Sequence, residues 1–211
     1  MRMSAAGTPQ GAGMDSRRIV GRVVLCAGLA LATGCASPPA RFYTLSGSPA
    51  ATTPASGPAI LVGPVSIPAV VDRPEIVVTI GNNEVWLDEL NRWASPLADN
   101  ISLAVVENLI AALATPRVAL AAQTAGFDAD FSVTIEVQRF ESIPGGSALV
   151  DALWRVRRVK DGASASGRTT VREEVADRGY DALAAAHSRA VGRLSQDVAA
   201  AIRTLAPSPA R

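Results

Sequence analysis

Apolar and polar positions alternate along the second half of the chain. Phe131, Val133, Ile135 and Val137 interleave with Ser132, Thr134, Glu136 and Gln138. A period of two puts one set on a buried face and the other in water, which predicts a half-buried strand. Phe140 falls out of phase, placing a bulge near Arg139. Pro144-Gly145-Gly146 turns the chain into Ala148, Val150, Ala152, Trp154 and Val156, which alternate again, and Asp161-Gly162 turns it toward a strand over Arg168 to Val175. Three successive strands predict an antiparallel meander. Upstream, Phe42 to Leu45 and Ala59 to Ile67 read as strands, the second kinked or set at an edge by Gly63-Pro64, since proline cannot donate to a ladder. Ile76 to Ile80 pairs with Glu84 to Leu87 across Gly81-Asn82-Asn83.

Two segments switch to the helical period. Leu97, Ile101, Val105, Leu109 and Leu113 recur every four residues, and Leu103, Val106 and Ile110 widen the stripe, so this helix is largely buried. Ser95 is its expected N-cap and Pro96 its first helical residue, with Thr115-Pro116 as the stop. Leu183, Ala190, Val191, Leu194, Val198, Ala201 and Leu205 share one face of a second helix, stopped by Pro207 and Pro209. The expected fold class is α+β: a mostly antiparallel sheet with two main helices packed on one face, in a single domain.

The start of the chain is different in kind. Arg17 and Arg18 precede an apolar run from Val23 to Thr33, too short to span a bilayer and of the length of a signal h-region. Met14 is an alternative start, and the general secretory route fits better than a twin-arginine one. Leu31-Ala32-Thr33-Gly34-Cys35 resembles a bacterial lipobox, with Ala32 where Leu is commoner. The organisation expected is therefore a lipoprotein signal peptide over 1–34, a lipidated N-terminus, tether, short strand and flexible linker over 35–58, the α+β domain over 59–206, and a tail over 207–211. Gly47 to Pro58, GSPAATTPASGP, is expected to bury nothing. By the sorting rule of lipoproteins that this signal resembles, Ala36 in place of Asp implies the periplasmic face of the outer membrane.

Charge and composition narrow the chemistry. Twenty basic against nineteen acidic residues over 211 positions give a formal charge of +1, which offers no basic field for nucleic acid. Loss of residues 1–34 leaves 16 basic and 18 acidic residues, still near neutral. Cys26 leaves with the signal and Cys35 is acylated, so no free thiol remains for catalysis. No metal site or cofactor is implied: two Cys and one His cannot complete a structural zinc site, and neither a P-loop nor a G-x-G-x-x-G follows a strand. His187 lies near the centre of an apolar helix stripe and is read as a core or interface residue. No G-x-S-x-G elbow would serve it. Asp88-Glu89 and Glu173-Glu174 are neighbours in sequence whose side chains diverge, so neither forms an acid and base pair. Arg155, Arg157, Arg158 and Lys160 read as a solvated face, with a headgroup patch as the alternative. Trp86, Trp93 and Trp154 suit core or rim packing, with a lipid groove as the alternative.

Several segments in one order carry a resemblance. Ile60-Leu61-Val62-Gly63-Pro64-Val65 with Ile67-Pro68, Asp72-Arg73-Pro74-Glu75-Ile76-Val77, Arg92-Trp93-Ala94-Ser95-Pro96-Leu97 and Glu107-Asn108-Leu109 resemble the PqiC-like ABC-type transport auxiliary lipoprotein family. Phe42-Tyr43-Thr44-Leu45, Val137 to Glu141, Ala152-Leu153-Trp154 and Leu194-Ser195 agree with it, and Gly126 to Phe131 matches more loosely. The resemblance implies a non-enzymatic outer-membrane lipoprotein that works with an MCE-family periplasmic protein and its inner-membrane ABC permease and ATPase, moving lipid between membranes.

Asp72, Arg73 and Pro74 form a stiff connection that either presents a partner-docking surface or shapes its own turn. Arg92 and Trp93 join them as candidates, although Trp93 also suits a staple onto the first helix. A homo-oligomer would suit the end of a conduit. The rival readings are an envelope-assembly lipoprotein that binds or activates another periplasmic protein, and an esterase built on His187.

Overall fold

The computed structural model describes residues 38–48, 57–122 and 126–206. The signal segment, Cys35, the middle of the linker and the C-terminal tail lie outside the described residues. The elements run β1 Arg41–Tyr43, β2 Ile60–Ser66, β3 Glu75–Thr79, β4 Val85–Trp93, α1 Leu97–Leu113, β5 Val118–Leu120, β6 Phe131–Ser142, β7 Ser147–Arg158, β8 Ser164–Glu174 and α2 Tyr180–Leu205. This is an α+β domain with two sheets, one ordered β5-β2-β6-β7-β8 and a smaller one ordered β1-β4-β3.

The meander is present: β6 pairs antiparallel with β7, and β7 with β8. Its register shifts between Val137 and Arg139, which returns Phe140 to the buried face. The sheets are mixed, however, rather than wholly antiparallel. β2 runs parallel to both β5 and β6, and β1 runs parallel to β4. Three-residue strands such as β5 are too short for an alternation to show, so the parallel edge left no periodic trace. Gly63-Pro64 falls where the β2–β6 register shifts, between Val62 and Val65.

Both helices bury their apolar stripes against the larger sheet. α2 packs on β7 and β8, and α1 packs on β2, β5 and α2. Leu97, Ile101, Val105 and Leu109 of α1 meet Leu183, Leu194, Val198 and Ile202 of α2 in one core with Ile60, Val133 and Val156. Burying a side chain of this size contributes about 1.5–3 kcal/mol, so this core carries most of the fold's stability. α1 starts one residue later than expected: Pro96 occupies the N-cap position with no side-chain cap. Asn100 instead donates back to the Ser95 carbonyl at 2.9 Å. Trp154 lies flat over Gly167, where a Cβ would come within 2.4 Å of its ring. Its Nε1 donates to Thr169 Oγ1 at 3.0 Å. Among the described residues, no helix is long and apolar enough to cross a membrane.

Candidate functional site: the anchored end and the small sheet

The chain enters the domain through β1, whose residues pair with Asn91 to Trp93 of β4. Leaving β1, it crosses both helices as a strap. Leu45 N–H donates to Asn100 Oδ1 at 3.4 Å, Ser46 N–H to Ser188 Oγ at 3.1 Å, Gly47 N–H to Glu107 Oε2 at 2.7 Å and Ser48 N–H to Asn108 Oδ1 at 2.9 Å. Backbone outside a sheet must find partners elsewhere, and here three side chains of α1 and one of α2 supply them. Only glycine fits at position 47, because a Cβ there would lie 2.3 Å from Glu107 Cβ. Gly47 and Ser48 are thus fastened, against the expectation of a segment that packs on nothing. A cleft of about 700 Å³ beside the strap is lined by Ser46, Ser48, Asp181, Ser188 and Arg189, among others.

The small sheet has two unlike faces, which the register assigns, since cross-strand partners share a face. Glu75 pairs with Arg92, Val77 with Leu87 and Thr79 with Val85, and Phe42 lies beside Arg92. These residues share the outer face, on which Val77 is covered and buried while Phe42, Val85 and Leu87 are exposed. Ile76 and Val78 lie on the other face and are buried, as is Trp93. Trp86, the partner of Val78, projects past the core at 59% exposure. Of the ten large apolar side chains exposed among the described residues, seven belong to this sheet and its adjoining loops: Phe42, Val70, Ile80, Val85, Trp86, Leu87 and Leu90. Such clustering marks a contact surface rather than scattered surface apolarity.

The five docking candidates separate. Asp72 and Pro74 are exposed and Arg73 is half-buried. Their loop is held by Arg73 N–H donating to the Val71 carbonyl at 2.9 Å and Trp93 N–H donating to the Pro74 carbonyl at 2.8 Å. Arg92 Nη2 lies 3.3 Å from Glu75 Oε1, and its Nε donates to the Glu89 carbonyl at 2.9 Å. Asp72, Arg73, Pro74 and Arg92 therefore gather at one end of the small sheet. Trp93 does not join them: it is 5% exposed and meets Phe140 edge-on at 6.1 Å. No ion pair joins Asp72 to Arg73 among the described residues. The exposed apolar cluster, by contrast, was not singled out from the sequence. Val85-Trp86-Leu87, three consecutive large apolar residues beside a turn, was the available signal.

His187 is fully buried, stacked on Phe140 at 3.8 Å, with Nε2 2.8 Å from Ser142 Oγ. Burial pushes its pKa down to about 3, because a charged imidazole would lose its hydration. A Ser-His catalytic pair needs access to substrate and an orienting group on Nδ1. Ser142 is itself buried, and Nδ1 has no partner. The pair packs the core. Asp88 works as a turn clamp, with Oδ1 accepting from Leu90 and Asn91 N–H, both at 3.0 Å. Burial, together with the hydrogen bond to Asp88, raises the Tyr180 phenol above its ordinary value and keeps it protonated. Glu173 is tied to Arg189 at 3.0 Å. Arg155 and Arg157 are exposed on the wet face, whereas Arg158 clamps Asp161 and donates to the Leu205 carbonyl. The three tryptophans occupy three separate settings.

The fold has solved relatives. A crystal structure of an uncharacterized protein matches with a TM-score of 0.63 at 20% identity, over 78% of this chain and 99% of its own. A crystal structure of a DUF330 protein from Xanthomonas campestris matches with a TM-score of 0.59 at 22% identity, over 77% of this chain and 94% of its own. At these identities the likeness establishes the shared fold. No curated protein sequence matches the chain. The model of the family described as "ABC-type transport auxiliary lipoprotein component" matches residues 43–199, and the chain belongs to that family.

Proposed function

We propose that this protein is a non-catalytic auxiliary lipoprotein of an MCE-type ABC transport system, acylated at Cys35 and held on the periplasmic face of the outer membrane. There it docks or receives the outer end of the conduit through which lipid moves between the membranes. The observation that carries this reading is the family match over residues 43–199 downstream of a lipobox-like sequence. Two or more acyl chains on Cys35 hold a body at a bilayer stably, which one chain does not. Asp72, Arg73 and Pro74, with Arg92 beside them, form the docking end for the MCE-family protein. Trp93 supports that end from inside the core.

Purification of the acylated protein in mild detergent tests the reading. An MCE-family protein, its permease and ATPase, and bound phospholipid should co-elute. If neither an MCE component nor lipid accompanies it, the transport reading falls and envelope assembly takes its place. Cys35→Ser should release the protein from the membrane fraction. Retention of that variant would overturn the anchor.

A further inference from the structure

We infer that the outer face of the small sheet rests on the lipid surface in which Cys35 is anchored, so that the domain lies against the bilayer in one fixed orientation. The inference rests on the acylation reading above. Five residues, 36–40, separate Cys35 from β1. Fully extended they reach roughly 17 Å. The first strand they meet is part of the small sheet, and Phe42, seven residues beyond the anchor, is 63% exposed on the sheet's outer face. The tether therefore runs directly into a strand that is paired into the sheet carrying the exposed apolar cluster.

Orientation follows from how firmly the entry point is held. β1 is paired to β4, and the strap after it is fastened to both helices at four successive N–H groups. The anchor thus pulls on the small sheet and not on a loose linker. That sheet presents Phe42, Val85 and Leu87 on its outer face, whereas Trp86, the partner of Val78, is exposed on the opposite face at the hairpin end. The one charged pair on that face, Glu75 with Arg92, is internally compensated. Aromatic and aliphatic groups on a charge-balanced surface fit the boundary between headgroups and acyl chains, where such groups settle about 5–10 Å deep. A surface of this kind needs no anionic lipid. The Asp72 to Pro74 loop, at the far end of the same sheet, then sits beside the bilayer, where a conduit delivering lipid must end.

Single cysteines test the contact, because the mature chain has no free thiol once Cys35 is acylated. Leu87→Cys, Phe42→Cys and, as a control on an exposed position of the large sheet, Leu153→Cys are labelled with an environment-sensitive fluorophore in the full acylated protein. The protein is reconstituted into phosphatidylcholine vesicles with brominated acyl chains. The labels at 42 and 87 should shift to the blue and be quenched, that at 153 should do neither, and added salt should change nothing. If the protein fails to float with the vesicles, the acylation reading fails and this inference with it. If it floats while 42 and 87 stay unquenched, only the inference is overturned. Crosslinking of Leu87→Cys between copies, or shielding of it only by a co-purified protein, would assign the face to a second copy or to the partner instead.

Discussion

The two sheets of this domain handle apolar side chains in opposite ways. In β6 the alternation matches burial residue by residue, with Phe131, Val133, Ile135 and Val137 inside and Thr134, Glu136 and Gln138 outside. In β4 three consecutive residues, Val85, Trp86 and Leu87, are all exposed. The large sheet has two helices to bury its inner face, whereas the hairpin of the small sheet extends beyond the core. The difference separates apolar groups that stabilise the fold from apolar groups left exposed and available to a contact.

That separation predicts unequal mutational effects. Leu194 is fully buried in α2, and Leu194→Ala should lower stability by about 2–5 kcal/mol in urea unfolding followed by tryptophan fluorescence. An unchanged midpoint would contradict the core described above. A second effect of the large core depends on pH. The unfolded imidazole of His187 titrates near its ordinary value of 6.5, while the folded one stays neutral down to about 3. Above 6.5 neither state is charged and the residue has no effect. Below it, the unfolded state takes up a proton that the folded state refuses, so stability falls by up to about 1.4 kcal/mol per pH unit. His187→Leu should flatten this slope between pH 6.5 and 4, whatever it does to stability at neutral pH. Asp151 enters only at lower pH, because the Arg168 guanidinium holds its carboxylate below the usual range.

Much of the large core was legible in the sequence, because period-two and period-3.6 patterns report burial directly. β6 to β8, the bulge at Arg139, both helices and the core placement of His187 follow from spacing alone. The parallel pairings were not legible, since β1 and β5 are three residues each and parallel neighbours are joined through distant segments. Of the candidate site, the sequence pointed to the Asp72 to Pro74 loop and to Arg92. For Trp93 it offered both a docking role and a staple onto the first helix, and the side chain faces inward, beyond the bulge that separates that end of β4 from the hairpin. The strap was hidden for a different reason: its hydrogen bonds come from Asn100, Glu107, Asn108 and Ser188, polar residues that periodicity assigns to helix surfaces.

The strap joins the two regions, and a smaller change should loosen it without disturbing either sheet. Gly47→Ala places a methyl against Glu107, an overpacking that costs about 1–3 kcal/mol where it cannot relax. Because Glu107 Cβ and the Ala104 carbonyl cannot turn aside, the strap itself must lift, and the expected result is local to it. Hydrogen exchange at the amides of residues 45–48 should quicken, with little change in the amides of β6 and β7. Global unfolding of this variant would show instead that the strap is part of the large core.

The smallest effect on stability is the most informative about the small sheet. Trp86 and Leu87 are 59% and 38% exposed and contribute little to the core, so Trp86→Ser and Leu87→Ser should change stability by no more than about 0.5 kcal/mol. Measured next to Leu194→Ala in the same urea series, both should leave the midpoint in place, and Leu87→Ser, on the outer face, should reduce contact of the anchored protein with phosphatidylcholine vesicles. Trp86→Ser, on the opposite face, should leave that contact unchanged. A large loss of stability in either variant would mean that the hairpin packs on the core, and its apolar side chains would then need no external surface. Unchanged stability with undiminished vesicle contact of Leu87→Ser would leave the tether alone holding the domain at the membrane, free to turn about β1.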